Sequence, residues 1–167
     1  MTKFYLTFIT VHLFFAVDGQ VDTTKSVYKN LEVKKFYSVG MSAVSEKGKT
    51  TYEIDDKRVD KATYEKYNDT WKNMETCKPC ILETFDINEK LLHRAVHYTD
   101  CAVGQWIEYY ADGKIKMIGH YKENDTGNWK NAYNRGYCSV KHGIWTYFDK
   151  NGNTIKTEQY IDNILVK

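Results

Sequence analysis

The 167-residue chain has almost no excess charge. Its 24 Lys and Arg face 22 Asp and Glu, a formal net charge of +2. That balance excludes the long-range pull a basic domain exerts on nucleic acid or anionic membrane. Long hydrophobic runs are also missing. The run from Phe4 to Val17 has 14 residues and is interrupted by two Thr and His12, whereas a spanning helix needs roughly 20 apolar residues. There is no phosphate-cradling glycine loop and no nucleophile elbow, and the scattered carboxylates form no pair to which acid and base roles can be assigned. The five His do not converge on a metal pattern. His93 and His97, spaced i, i+4 in an apparent strand, would face the same side about 13 Å apart. His120 and His142 stand alone, and solvated or hydrogen-bonded histidines are expected throughout. Neither catalysis nor a cofactor is expected.

What the amino terminus does have is one Lys, the apolar run, and small residues suited to cleavage before Gln20. This pattern is that of a secretory signal peptide over residues 1–19. No transmembrane segment then remains, and the expected location is secreted or periplasmic. The mature 148 residues are enough for one domain with a real core.

Pro occurs once, at Pro79, while Tyr occurs 14 times and Trp four times. Aromatic and β-branched richness punctuated by Gly and Asn-Gly is the composition of a β protein. Residues 20–76 form an N-terminal region. Its start, to about Lys35, is a loose lead-in with one short strand at most. Tyr52 and Ile54 then alternate as in a strand, Asp55-Asp56 suggests a turn, and Asp60 is placed to cap a helix. Tyr64, Tyr67, Trp71 and Met74 recur on one face of that helix, as a core-facing stripe does.

Residues 77–167 are repetitive. GQWIEYYADG (104–113), GNWKNAYNRG (127–136) and GIWTYFDKNG (143–152) share Gly-x-Trp with a second Gly seven residues after the Trp. An offset of 39 residues superposes Gly104, Trp106, Gly113 and Tyr121 on Gly143, Trp145, Gly152 and Tyr160. The unit with Gly127, Trp129 and Gly136 is a truncated copy. A fainter relative, 81–100, shares the Phe-Asp-x-Asn turn but lacks Gly and Trp. Each unit reads as a hairpin: alternating residues make strands, and Asp112-Gly113 and Asn151-Gly152 are tight-turn pairs. Single hairpins are marginal in water, so the units must stack in series. Their Trp rings would then contact neighbouring rings, with Trp106 and Trp145 at equivalent buried positions.

Gly-x-Trp-x-x-Tyr-Tyr-x-x-Gly-Lys followed by Gly-x-Tyr resembles the MORN-repeat variant of bacterial proteins, including antitoxin-like ones, over about residues 78–163. The second unit departs from it, with Tyr147-Phe148 one position out of register with Tyr109-Tyr110, and a signal peptide does not suit a cytosolic antitoxin. The resemblance implies protein or lipid contacts and no catalytic motif residues.

Cys77 and Cys80 in CKPC, with Cys101 and Cys138, make an even count, which in an exported chain favours two disulfides. The same four could instead hold zinc, or CKPC alone could be a redox pair. If the turn of the faint first unit centres between Asn88 and Glu89, residues paired across it have numbers summing to about 177. Cys77 then lies opposite Asp100, with Cys101 as nearest partner, leaving Cys80 for Cys138. Lys interleaved with Tyr could meet single-stranded nucleic acid, but the charge balance argues against it. Asn68-Asp-Thr70 and Asn124-Asp-Thr126 match the glycosylation acceptor pattern.

The expectation is a mainly β protein: repeated antiparallel hairpins forming an extended twisted sheet, with a small N-terminal α+β part. Its expected task is non-enzymatic binding of a protein or cell-surface partner. The alternative is a zinc or thiol-disulfide protein centred on CKPC. The sequence leaves the partner and the oligomeric state open.

Overall fold

The computed structural model describes residues 27–122 and 138–167. The expected signal peptide, the unit of Gly127, Trp129 and Gly136, and the Asn124 acceptor pattern lie outside the described residues. The architecture is mainly β. In chain order the elements are β1 (Val33–Tyr37), β2 (Met41–Glu46), β3 (Lys49–Ile54), β4 (Lys57–Val59), α1 (Lys61–Glu75), β5 (Cys80–Phe85), β6 (Leu91–Tyr98), β7 (Cys101–Tyr109), β8 (Ile115–Tyr121), β9 (Gly143–Phe148), β10 (Thr154–Ile161) and β11 (Ile164–Leu165). Eight strands form one open sheet in the order β1-β5-β6-β7-β8-β9-β10-β11, and β2-β3-β4 form a small second sheet. Every pairing is antiparallel except β1 with β5.

The N-terminal region builds its own local order and donates β1 to the large sheet. Asp55 and Asp56 both adopt positive φ, 48° and 62°, making the tight turn between β3 and β4. Asp60 caps α1, its carboxylate accepting from the Thr63 N–H at 2.7 Å and the Thr63 hydroxyl at 2.9 Å. The aromatic stripe of α1 faces the core, with Tyr67 buried and Trp71 still 41% exposed. Tyr64 meets Tyr52 at 5.0 Å, Tyr67 meets Tyr37 at 5.0 Å, and Trp71 meets Phe36 at 5.1 Å between ring centroids. Met74 packs on Cys77, Cys80 and Leu82. Sequence reading missed β2 and β4, which are short and mostly exposed and so lack an apolar period.

Three of the described hairpin turns of the large sheet, β5–β6, β7–β8 and β9–β10, share one geometry. Asp86, Tyr110 and Asp149 each accept a backbone bond from the residue three positions on and donate one to the carbonyl four positions on. The third turn residue needs positive φ. Gly113 and Gly152 supply it at 84° and 90°, and Glu89 does so at 61° in the faint first unit. That unit therefore keeps the fold without the glycine of its relatives. Its register is the expected one: Cys80 pairs with His97, Ile81 with Val96, and Thr84 with His93, before a bulge ahead of Phe85.

Candidate functional site

Strand alternation decides which side chains share a face. On β7 and β9 the Gly-x-Trp segment brings Trp106 and Trp145 to the same face, because β8 pairs with both strands. A row of rings results, crossing from β6 to β10. His93 stacks on Trp106 at 4.3 Å and 19°. Trp106 then meets Tyr121 at 5.5 Å, Tyr121 meets Trp145 at 5.1 Å, and Trp145 meets Tyr160 at 6.2 Å, all edge to face. Such contacts follow the ring quadrupole and add about 0.5–1.5 kcal/mol each beyond area burial. Lys141 Nζ lies 4.4 Å from the Trp145 ring centroid and 4.9 Å from that of Tyr160.

The expected equivalence of the two Trp needs correction. Trp145 is 1% exposed, whereas Trp106 is only half-buried. The difference comes from β8. Gly119 lies opposite Trp106 in register and offers no side chain, so the Trp145 ring fills that space. At the corresponding place on β10, opposite Trp145, stands Glu158. It accepts hydrogen bonds from Tyr147 at 2.6 Å and Tyr160 at 3.1 Å, and Lys156 Nζ donates at 2.9 Å. The Tyr147 bond, with those of Lys156 and Tyr160, pulls the Glu158 carboxyl down to about 2, while burial and the shared proton push Tyr147 upward.

His93 and His97 also depart from expectation. His97 is 6% exposed, and neither of its ring nitrogens has a hydrogen-bond partner among the described residues, whereas His93 is only half-buried beneath Trp106. Both contact Trp106, His97 at 6.2 Å. Burial pulls each down to about 4, with the other imidazole adding to the shift at His97. Their shared face was legible from the i, i+4 spacing; the Trp106 ring lying between them was not.

The cysteines form two disulfides, but the expected connectivity is overturned. Cys77 pairs with Cys80 and Cys101 with Cys138, each with Cα atoms 5.0 Å apart. The register was right and the extrapolation from it was not. β5 begins at Cys80, so Cys77 lies outside the ladder and folds back against its neighbour. Cys80 and Leu82 point to the face covered by Met74, whereas Cys101 clusters with Val96 and Val103 on the other face. A Cys77–Cys101 bridge would have to pass through the sheet. The same separation removes the four-thiolate zinc alternative for Cys77, Cys80, Cys101 and Cys138, since two pairs on opposite faces cannot share one ion. No metal-binding group of His, Cys, Asp or Glu occurs among the described residues. CKPC also lacks the setting of a redox pair. Both its sulfurs are buried, and it follows the carboxyl end of α1, whose partial negative charge disfavours a thiolate.

The opposite face is apolar and open at the far end. Ile144 and Ile161 alternate with Trp145 and Tyr160 and so lie on the other side. Ile164, paired with Ile161, and Val166 join them. These four are 63%, 51%, 66% and 50% exposed, in a sheet whose other apolar residues are mostly buried.

The family model for the MORN repeat variant matches residues 102–123 and 141–162. The two matched segments are 39 residues apart, the offset that superposes the two full hairpin units. No curated protein and no solved structure matches the chain. The two segments thus resemble repeats whose family is read as a binding module. Among the described residues no helix is long and apolar enough to cross a membrane.

Proposed function

We propose that this chain is an exported, non-enzymatic binding module whose repeated-hairpin sheet holds a partner protein. The observation that carries the reading is the exposed apolar face of Ile144, Ile161, Ile164 and Val166. Contiguous exposed apolar side chains on a soluble sheet mark interaction sites. The similarity to the MORN repeat variant supports a binding role, and two disulfides are compatible with an oxidising compartment outside the cytoplasm.

The test uses the protein recovered from the secreting cell. Its amino terminus is expected at or near Gln20, and a chain beginning at Met1 would sink the export part. For binding, wild type, Ile144→Lys/Ile164→Lys and the control Val44→Lys serve as bait. Val44 is 54% exposed on the small sheet. A partner captured by wild type and control but lost by the double variant supports the assignment. Equal capture by all three overturns it.

A further inference from the structure

The seam between β6 and β7 combines three features found together nowhere else among the described residues. Two imidazoles, His93 and His97, contact one indole, Trp106. His97 is buried with both nitrogens unpartnered. The ladder is interrupted at the same point: pairing jumps from Ala95 with Trp106 to His97 with Ala102, and Gly104 inside the gap sits at φ 81°. A bulge leaves residues without ladder bonds, so the strands part there most easily.

We propose that the His93–Trp106–His97 stack is an acid-sensitive latch that joins the first hairpin to the repeat units at neutral pH and releases the β6–β7 seam in acid. While the imidazoles are neutral, their rings pack as flat apolar surfaces. Once charged, each needs acceptors or water, and the surrounding elements supply little of either. From β5 the facing residues are Cys80, tied in its disulfide, and Thr84, whose buried hydroxyl can accept one hydrogen bond but carries no charge. Glu83 and Arg94 pair with each other across the β5–β6 ladder. On β7 the residue opposite His93 is Glu108, whose carboxylate is already 3.3 Å from Lys116 of β8 and 3.4 Å from the Trp106 Nε1. β8 adds Tyr121, whose hydroxyl burial holds in the neutral form. α1 presents Met74 over Cys80, and its Lys72 and Asp69 pair with each other at the surface. The Thr99 backbone and Asp100, exposed in the β6–β7 turn, both favour a charged His97, and burial and the neighbouring His93 outweigh them.

The sign follows from the lowered values. Both histidines titrate near 4 in the folded chain against about 6.5 when exposed. The latch is therefore intact above about pH 6.5 and is progressively lost as pH falls toward 4. An imidazolium over Trp106 gains a cation–π attraction, which offsets part of the burial cost but gives the two buried nitrogens of His97 no hydrogen-bond acceptor.

Amide hydrogen exchange on the full chain at pH 7, 5.5 and 4.5, corrected for intrinsic rates, tests the proposal. Protection at Val96, His97, Ala102 and Val103 should fall at least tenfold by pH 4.5 while α1 and the β9–β10 hairpin keep theirs. His93→Phe preserves the stack without the charge, and His97→Leu removes the unpartnered nitrogens. Each should move the loss at least one pH unit lower. Unchanged seam protection in wild type at pH 4.5, loss spread evenly over all elements, or the same acid response in both variants would overturn the latch.

Discussion

Gly119 and Trp145 interlock: a Cβ built on Gly119 would fall 2.3 Å from the Trp145 indole. The repeat's buried ring therefore depends on a glycine of the neighbouring strand that lies outside the repeated Gly-x-Trp pattern. Gly119→Ala must displace the ring or the backbone, and overpacking of this kind costs roughly 1–3 kcal/mol. Trp145→Ala should cost about 3–5 kcal/mol. Trp106→Ala, half-buried, should lose about 2 kcal/mol, mainly its contacts with His93 and Tyr121. Urea midpoints for the three variants check the order. Equal losses for the two Trp variants would mean that Gly119 does not make the difference.

The two disulfides constrain very different lengths of chain. Cys101–Cys138 spans a sequence separation of 37, and Cys77–Cys80 one of 3. On the chain-entropy relation the long loop contributes about 4 kcal/mol and the short one about 2 kcal/mol. Replacing Cys101 and Cys138 by Ser should therefore cost about twice as much as replacing Cys77 and Cys80. Thermal unfolding of the two double variants measures the ratio, and non-reducing peptide mapping checks the connectivity itself.

Local chemistry carried much of this structure, and spatial neighbours decided the rest. The 39-residue offset, the turn pairs, the Asp60 cap and the α1 stripe each depend on residues a few positions apart, and each formed where its spacing placed it. The first hairpin's register followed from its turn for the same reason. Cys77 was misassigned because a ladder was extended past the strand that carries it. His97 was misjudged because burial by Trp106 and by the disulfide region depends on which strands become neighbours, and the spacing of His93 and His97 contains no such information. Gly119 stands in the Gly-x-Tyr of the repeat pattern, but its packing role exists only across the β8–β9 pairing, which the pattern does not contain.

Tyr147 and Glu158 set a pH-dependent contact at the last hairpin. The Tyr147 hydroxyl bond is the largest cause of the low Glu158 value, about 2 against an ordinary 4.5. A depressed carboxyl stabilises the fold above its unfolded value, and that contribution is lost as pH falls from about 4.5 to about 2. Tyr147→Phe should raise the Glu158 value toward the ordinary range and flatten the acid limb of the stability profile there. NMR titration of the Glu158 side chain reads it, and an unmoved value would assign the depression to Lys156 and Tyr160.

Asp60 offers a smaller and cleaner measurement. Its carboxylate closes the start of α1 mainly through the Thr63 N–H and hydroxyl, from an exposed position, so Asp60→Ala should lower the denaturation midpoint. Asp60→Asn should lose less, because an amide oxygen can still accept from the Thr63 N–H. Equilibrium denaturation of both variants separates the hydrogen bond from the charge.

Glu83 and Arg94 face each other across β5 and β6 with side chains 11% and 15% exposed, the guanidinium donating to one carboxylate oxygen at 2.8 and 3.0 Å. Arg94 also donates to the Tyr109 hydroxyl at 3.1 Å, which links the first hairpin to β7. Taking two ions out of water costs several kcal/mol each, and their attraction and hydrogen bonds offset that only while both are present. Arg94→Met should therefore cost about 3–5 kcal/mol by leaving Glu83 charged and buried. Adding Glu83→Gln should recover most of that loss, because no charge then remains uncompensated. A double-mutant cycle in urea measures the coupling, and a double variant as unstable as Arg94→Met alone would place the loss in packing against Tyr109 instead.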